Sequence, residues 1–99
     1  MKPFYAKLHP PRANFAQTMS AAEVLLMQQH GAYLREFSGK GWLVAFGPVA
    51  DPQGFFGIAI WELPDGEDAA ALCANDPLIK SNQGFRYEIH PMPSIVTRK

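Results

Sequence analysis

The chain of 99 residues contains one cysteine, Cys73. A single cysteine cannot form an internal disulfide, and it cannot supply a thiolate metal cluster. It falls in the alanine-rich segment 69–74, where a small buried helical residue is favoured over a reactive thiol. Disulfide and thiolate chemistry are therefore not indicated.

An excess of charge of either sign is also missing. Nine lysines and arginines balance nine aspartates and glutamates. The basic residues are scattered, apart from the terminal pair Arg98-Lys99. A nucleic-acid-binding protein normally carries a basic stripe or patch, so nucleic acid is not an expected partner.

Long hydrophobic runs are absent as well. No stretch approaches the roughly 20 apolar residues that cross a bilayer. The start of the chain, residues 1–5, has a lysine but no long apolar run after it, so we do not expect a signal peptide. We predict a soluble, cytoplasmic protein without a membrane partner.

Motifs for the common cofactors are missing too. No glycine-rich loop follows a strand into a helix, and no serine-nucleophile motif is present. Three histidines, His9, His30 and His90, fall on separate predicted elements without close ligand spacing, which disfavours zinc. We therefore expect neither a metal nor an organic cofactor.

What the chain does have is apolar residues, at 47% of the sequence, enough for one domain spanning residues 1–99. Alternating and helical apolar patterns predict the order β-α-β-β-α-β. The predicted strands cover residues 4–9, 42–46, 55–63 and 85–90, and the predicted helices cover about residues 21–37 and 65–75.

The ends of these elements have recognisable signals. Ser20 and Glu23 form a capping box at the first helix, and Asp65 is the expected N-cap of the second. Gly47-Pro48 is expected to end the second strand, and Asp76-Pro77 the second helix.

The predicted order fits an α+β, ferredoxin-like antiparallel sheet with both helices on one face. In the central strands 42–46 and 55–61, both alternating faces are apolar. Two helices cover only one face, so we expect a second copy to pack on the open face and form a homodimer. The alternative is that loops and the C-terminal tail, residues 92–99, cover this face within one chain.

The main candidate for chemistry is His30, in the middle of the first helix, on the same stripe as Leu34 and Phe37. A histidine on a buried face needs a partner, and Asp76 is well suited to be that partner. The carboxylate would fix the tautomer and leave the other ring nitrogen as an acid or base. The alternative is a histidine hydrogen-bonded for packing alone.

Three further residues are candidates for substrate binding. Arg12 follows two prolines at a strand end, in a stiff presentation suited to an anion, although the sequence itself favours an ordinary solvated arginine. His9 and Tyr33 are candidates to line the same cleft as His30, although His9 is equally compatible with an exposed strand end.

These residues, taken in order, resemble the YCII-related domain family over roughly residues 4–92. The resemblance implies a ferredoxin-like dimeric α/β barrel, and an active site made of a histidine in the first helix and an aspartate after the second. Those positions are His30 and Asp76 here. Family members that act on chlorinated hydroxyquinols imply a small aromatic substrate. The matching segments are His30-Gly31-Ala32-Tyr33-Leu34, Gly41, Phe46-Gly47-Pro48, Asn75-Asp76-Pro77 and Gly84.

Three functions follow as hypotheses. The first is a cofactor-independent enzyme in which His30 and Asp76 transfer a proton in an elimination or isomerisation of a small molecule. The second is a non-catalytic module that binds a small ligand. The third is a cofactor-independent oxygenase, which rests on fold analogy with other dimeric α/β barrels.

Overall fold

A computed structural model describes residues 1–98. Lys99, the second residue of the terminal Arg98-Lys99 pair, lies outside the described residues. Four strands form one antiparallel sheet, and four helices lie between them. The elements in chain order are β1 (Lys2–His9), α1 (Phe15–Thr18), α2 (Ala21–Gly39), β2 (Leu43–Val49), β3 (Phe56–Leu63), α3 (Ala69–Ala74), α4 (Pro77–Lys80) and β4 (Arg86–Pro91).

The strand order across the sheet is β2-β3-β1-β4, and every neighbouring pair is antiparallel. The connection through α2 joins β1 to β2 with β3 between them. The connection through α3 and α4 joins β3 to β4 with β1 between them. Each half is therefore a split βαβ unit, and the chain has the predicted α+β, ferredoxin-like architecture.

The core lies between the sheet and the helices. Strand register places Ala6, Ala59 and Trp61 on the helix side of the sheet, where all three are buried. From α2, Leu34 and Phe37 pack onto them, as the spacing of three and four residues predicts. This packing fixes the rotation of α2 about its axis, and so it directs His30 toward the space under the sheet.

The start of α2 is the predicted capping box. Ser20 Oγ accepts from the backbone N–H of Glu23, and a Glu23 side-chain oxygen accepts from the backbone N–H of Ser20. Two backbone donors at the helix start are thus satisfied, which holds the 19-residue helix at a defined first residue.

Two predicted boundaries were wrong. The strand β2 does not end at Gly47-Pro48 but continues to Val49, with Pro48 paired to Gly57 of β3. An edge strand tolerates a proline, because the missing N–H is not needed on the side that faces away from the sheet. The helix α3 is capped by Asp68 instead of Asp65, since the Asp68 carboxylate accepts from the N–H of Ala70.

The short helices α1 and α4 were not predicted. Each has only four residues, too few to produce an apolar period that the sequence would reveal. In α4, Pro77 occupies the first turn and Asp76 is the N-cap, so the residue predicted to end one helix also begins another.

The open face of the sheet is partly covered from the same chain. Met92 and Ile95, from the segment after β4, line a groove together with Val44 of β2 and Ile60 of β3. Within residues 1–98, no helix combines the length and hydropathy needed to cross a membrane.

Candidate functional site

The structure brings His30 and Asp76 together. His30 Nδ1 lies 2.6 Å from Asp76 Oδ2, although 46 positions separate the two residues in the chain. The Asp76 side chain is fully buried, and the His30 side chain is 12% exposed. The pair therefore has one partner shielded from water and one that reaches accessible space.

Two more donors hold the Asp76 carboxylate. As the N-cap of α4 it accepts from the backbone N–H of Leu78, with 2.9 Å between Oδ1 and the nitrogen. Tyr87 on β4 donates its hydroxyl to Oδ2 over 2.7 Å. Asp76 is thus fixed by a helix start and by a strand, and it orients His30 from a rigid position.

Sequence reasoning missed Tyr87. The only available signal was that Tyr87 shares one face of its strand with Phe85 and Ile89. That pattern places it on the helix side of β4. Alternation assigns the face of a strand residue but not its partner. The contact with Asp76 depends on how α4 packs beside β4.

Three converging donors define the proton arrangement at the pair. An ionised carboxylate only accepts hydrogen bonds, and Asp76 receives them from Leu78, Tyr87 and His30. A neutral His30 that donates to this carboxylate carries its proton on Nδ1. Within residues 1–98 the contact with Asp76 is the only hydrogen bond of this ring, so Nε2 keeps a free lone pair.

The buried carboxylate also affects its neighbours. Burial, and then the negative charge of Asp76, raise the pKa of Tyr87 well above its ordinary value, so its hydroxyl stays a donor. Burial first and Asp76 second raise the pKa of Cys73 to about 12, and the same causes raise that of Tyr33 to about 12. Cys73 is buried and lies in α3, which confirms the predicted small buried helical residue.

His30 opens onto a cavity of about 410 Å³ between α2 and the sheet. Within residues 1–98, His30 and Tyr87 carry the only ionisable side chains among those that line it. The rest of the wall is apolar or aromatic, which is the usual composition of a small-molecule site. Among the apolar lining residues are Leu8, Phe15, Met27, Leu34, Phe46 and Phe85.

The other predicted site residues lie elsewhere. His9 is on the open face of the sheet, where its Nε2 is 3.0 Å from Glu88. Arg12 is held by Glu23 and Thr18 and does not line the cavity. Tyr33 packs beside Phe37 and donates its hydroxyl to the carbonyl oxygen of Leu72.

The described residues, 1–98, contain no group of three histidine, cysteine, aspartate or glutamate side chains placed to hold a metal ion. The His30–Asp76 pair supplies two such side chains, and its third close neighbour is the Tyr87 hydroxyl. The structure therefore brings a histidine and a buried carboxylate together beside an apolar cavity.

Comparison with known proteins assigns the family. The model of the YCII-related domain matches residues 4–93, nearly the whole chain. The chain belongs to the YCII-related domain family. The match includes α2, which carries His30, and the start of α4, where Asp76 is the N-cap. Both residues therefore lie inside the family domain. No curated protein matches the chain.

One similar solved structure is a formyltetrahydrofolate deformylase from Pseudomonas putida. The sequences are 15% identical and the TM-score is 0.44, with 91% of this chain and 28% of that protein covered. This chain therefore spans less than a third of the deformylase. At this level of likeness, nothing about activity transfers between the two proteins.

Proposed function

We propose that this YCII-related protein is a small-molecule enzyme in which His30 transfers a proton and Asp76 orients it. The observation that supports this proposal most strongly is the contact of 2.6 Å between His30 Nδ1 and Oδ2 of the buried Asp76. The His30 side chain also lines the cavity. The pair therefore leaves Nε2 available to a bound molecule. A catalytic imidazole that is oriented in this way is suited to general acid–base chemistry near neutral pH.

The reaction class that fits is proton abstraction followed by elimination or isomerisation. Nε2 takes a proton from the substrate, and the imidazolium that forms is stabilised by the Asp76 carboxylate. In an isomerisation the same nitrogen returns the proton to another atom. In an elimination the electron pair left on the substrate expels a leaving group, and the proton passes later to solvent.

The cavity walls favour an uncharged and largely apolar substrate, such as a small aromatic molecule or a lactone. Taking an ionised group out of water is costly unless an opposite charge meets it. A protonated His30 cannot meet that need, because Asp76 at 2.6 Å already cancels its charge. Arg12, the arginine that the sequence suggested for an anion, is paired with Glu23 and does not line the cavity.

The test begins with a thermal-shift screen of neutral hydroxylated aromatics and lactones beside their carboxylate analogues. For a ligand that binds, the proposal predicts exchange of one substrate hydrogen with deuterated water. We expect His30→Gln to slow that exchange by about 10²–10⁴-fold, the usual contribution of a general base. The matched control is His90→Gln on the open face, which should leave the exchange unchanged.

The outcomes separate the three hypotheses. Hydrogen exchange that depends on His30 supports the proton-transfer enzyme. Ligand binding without exchange would replace it with a binding module, and oxygen consumption would replace it with an oxygenase. Exchange that survives His30→Gln with binding intact would show that the base is another group.

We also propose that a second copy packs on the open face of the sheet. Register places Tyr5, Ala45 and Ile60 on that face, away from the helices. Val44 at its edge is 42% exposed. Sedimentation should show a dimer that Val44→Asp weakens without loss of helical signal, whereas a monomer at all concentrations would contradict this assembly.

A further inference from the structure

The segment from Pro10 to Met19, here called the lid segment, forms one wall of the cavity. Pro10, Phe15, Ala16 and Met19 all line it. Phe15 is buried, and its ring meets Phe85 edge to face, with 5.2 Å between the ring centres. The segment includes α1 and connects β1 directly to the helix that carries His30.

Two turns of the chain lie against the backbone of this segment at glycines. A Cβ atom on Gly54 would lie 2.7 Å from the carbonyl oxygen of Ala13, and one on Gly84 would lie 3.0 Å from Pro11 Cβ. Real Cβ atoms essentially never approach as closely as the contact at Gly54, and the contact at Gly84 is tight enough that Pro11 would have to shift by a few tenths of an ångström. Both glycines also have a positive φ, of +137° and +92°.

Arg12 fixes the segment to α2. Its two terminal nitrogens donate to the two Glu23 carboxylate oxygens over 2.9 and 2.8 Å. Its Nε donates to Thr18 Oγ1 over 2.8 Å, and Nη2 also donates to the Thr18 carbonyl oxygen over 2.7 Å. One guanidinium therefore joins the far end of the lid segment to the first turn of α2, in the planar two-pronged geometry that arginine prefers.

These contacts give the His9-Pro10-Pro11-Arg12 sequence a structural role. The prolines restrict the backbone as it leaves β1, and Arg12 is bonded to the end of the same short segment. Arg12 Cζ also lies 5.2 Å from the centre of the Phe15 ring, and Phe15 lines the cavity.

We propose that Arg12 is a positioning residue that holds the lid segment closed over the cavity, and so sets how fast ligands enter and leave. This inference rests on the proposed function only in that it takes the cavity to be the ligand site. Loss of the Arg12–Glu23–Thr18 contacts lets the lid segment open more often. The orientation of His30 by Asp76 does not depend on those contacts.

Hydrogen exchange tests the lid directly. The amide hydrogens of Phe15 and Gln17 bond Arg12 O and Asn14 O inside the segment. These two amides should exchange about two- to fivefold faster in Arg12→Ala and in Glu23→Gln, because each variant removes a partly exposed ion pair. Glu23→Gln keeps an oxygen that accepts from the Ser20 N–H. The matched control is Arg35→Ala, an exposed arginine of α2, which should change neither amide.

Ligand kinetics test the consequence. The neutral, environment-sensitive dye N-phenyl-1-naphthylamine is the probe, followed by stopped-flow fluorescence. Association and dissociation rates should both rise about two- to fivefold in Arg12→Ala, with little change in affinity. Arg12→Lys keeps the charge but not the two-pronged contact, and it should lie between Arg12→Ala and the wild type.

The outcomes separate this inference from the proposed function. Faster exchange with unchanged dye rates would overturn the gating role of Arg12, and so would unchanged exchange in the lid segment. Failure of the dye to bind the wild-type protein would instead count against the cavity as a site for neutral ligands. That failure would remove both proposals together.

Discussion

Histidine–carboxylate contacts lie on both faces of the sheet, and their surroundings differ. On the helix face, His30 contacts Asp76, whose side chain is completely buried. On the open face, Glu88 lies between His9 and His90, at 3.0 and 2.8 Å, with its side chain 44% exposed. The same two chemical groups thus appear once in an apolar interior and once in contact with water.

The comparison shows what burial adds to such a pair. Water can replace either partner of Glu88, so that cluster is weakly constrained. Asp76 has no water to replace its three donors, so each donor is needed and each is held in place. Only the buried pair therefore presents a histidine in one fixed orientation toward a cavity.

The largest expected effect is that of Asp76→Ala. The change leaves the donors of His30, Tyr87 and Leu78 without an acceptor in the interior. We expect the free energy of unfolding to fall by about 3–5 kcal/mol, because each buried donor left without an acceptor costs about 1–3 kcal/mol. Urea denaturation measures this change.

The matched control is Glu88→Ala, the same kind of change in the exposed cluster. Its loss of stability should be clearly smaller than that of Asp76→Ala. Equal losses in the two variants would show that burial does not distinguish the contacts.

A smaller effect is expected from Tyr87→Phe. The variant keeps the ring and removes only the hydroxyl that donates to Asp76, so we expect a loss of about 1 kcal/mol, the usual contribution of one hydrogen bond. The control is Tyr5→Phe on the open face, where the ring stacks on His90. A Tyr87→Phe protein as stable as the wild type would mean that Asp76 does not need this donor.

The smallest effect concerns acid. Hydrogen bonds from His90 and His9 lower the pKa of Glu88 from 4.5 to about 2. A lowered pKa in the folded protein means that the stabilisation is present above pH 4.5 and is lost as the pH falls toward 2. In Glu88→Gln, the decline of stability across this window should be shallower, as urea titrations at several pH values would show. An identical decline in both proteins would contradict the role of Glu88.

Much of the fold was predictable because the relevant signals are local. The Ser20–Glu23 capping box and the apolar spacing along α2 are written within a few residues, and the structure confirms both. The continuation of β2 through Pro48 was not predictable, because it depends on β2 being an edge strand. Only the complete sheet order shows which strands are edges.

The site shows the same division. A buried histidine needs a partner, and this physical requirement led to Asp76 from His30. The position of Arg12 depends on the path of the loop after β1, and no local pattern encodes that path. His9 is the last residue of β1, and its alternation with Leu8 places it on the open face, away from the cavity. Tyr87 was missed because a strand residue's face can be predicted but its partner across α4 cannot.

The most direct test of the central claim is nitrogen NMR of the His30 ring in uniformly ¹⁵N-labelled protein, with His30→Gln used to assign its signals. We predict that neutral His30 carries its proton on Nδ1, and that N-phenyl-1-naphthylamine in the cavity shifts the Nε2 resonance. A ring protonated on Nε2, or an Nε2 resonance that the bound dye leaves unchanged, would contradict the claim that His30 presents a free base to the cavity.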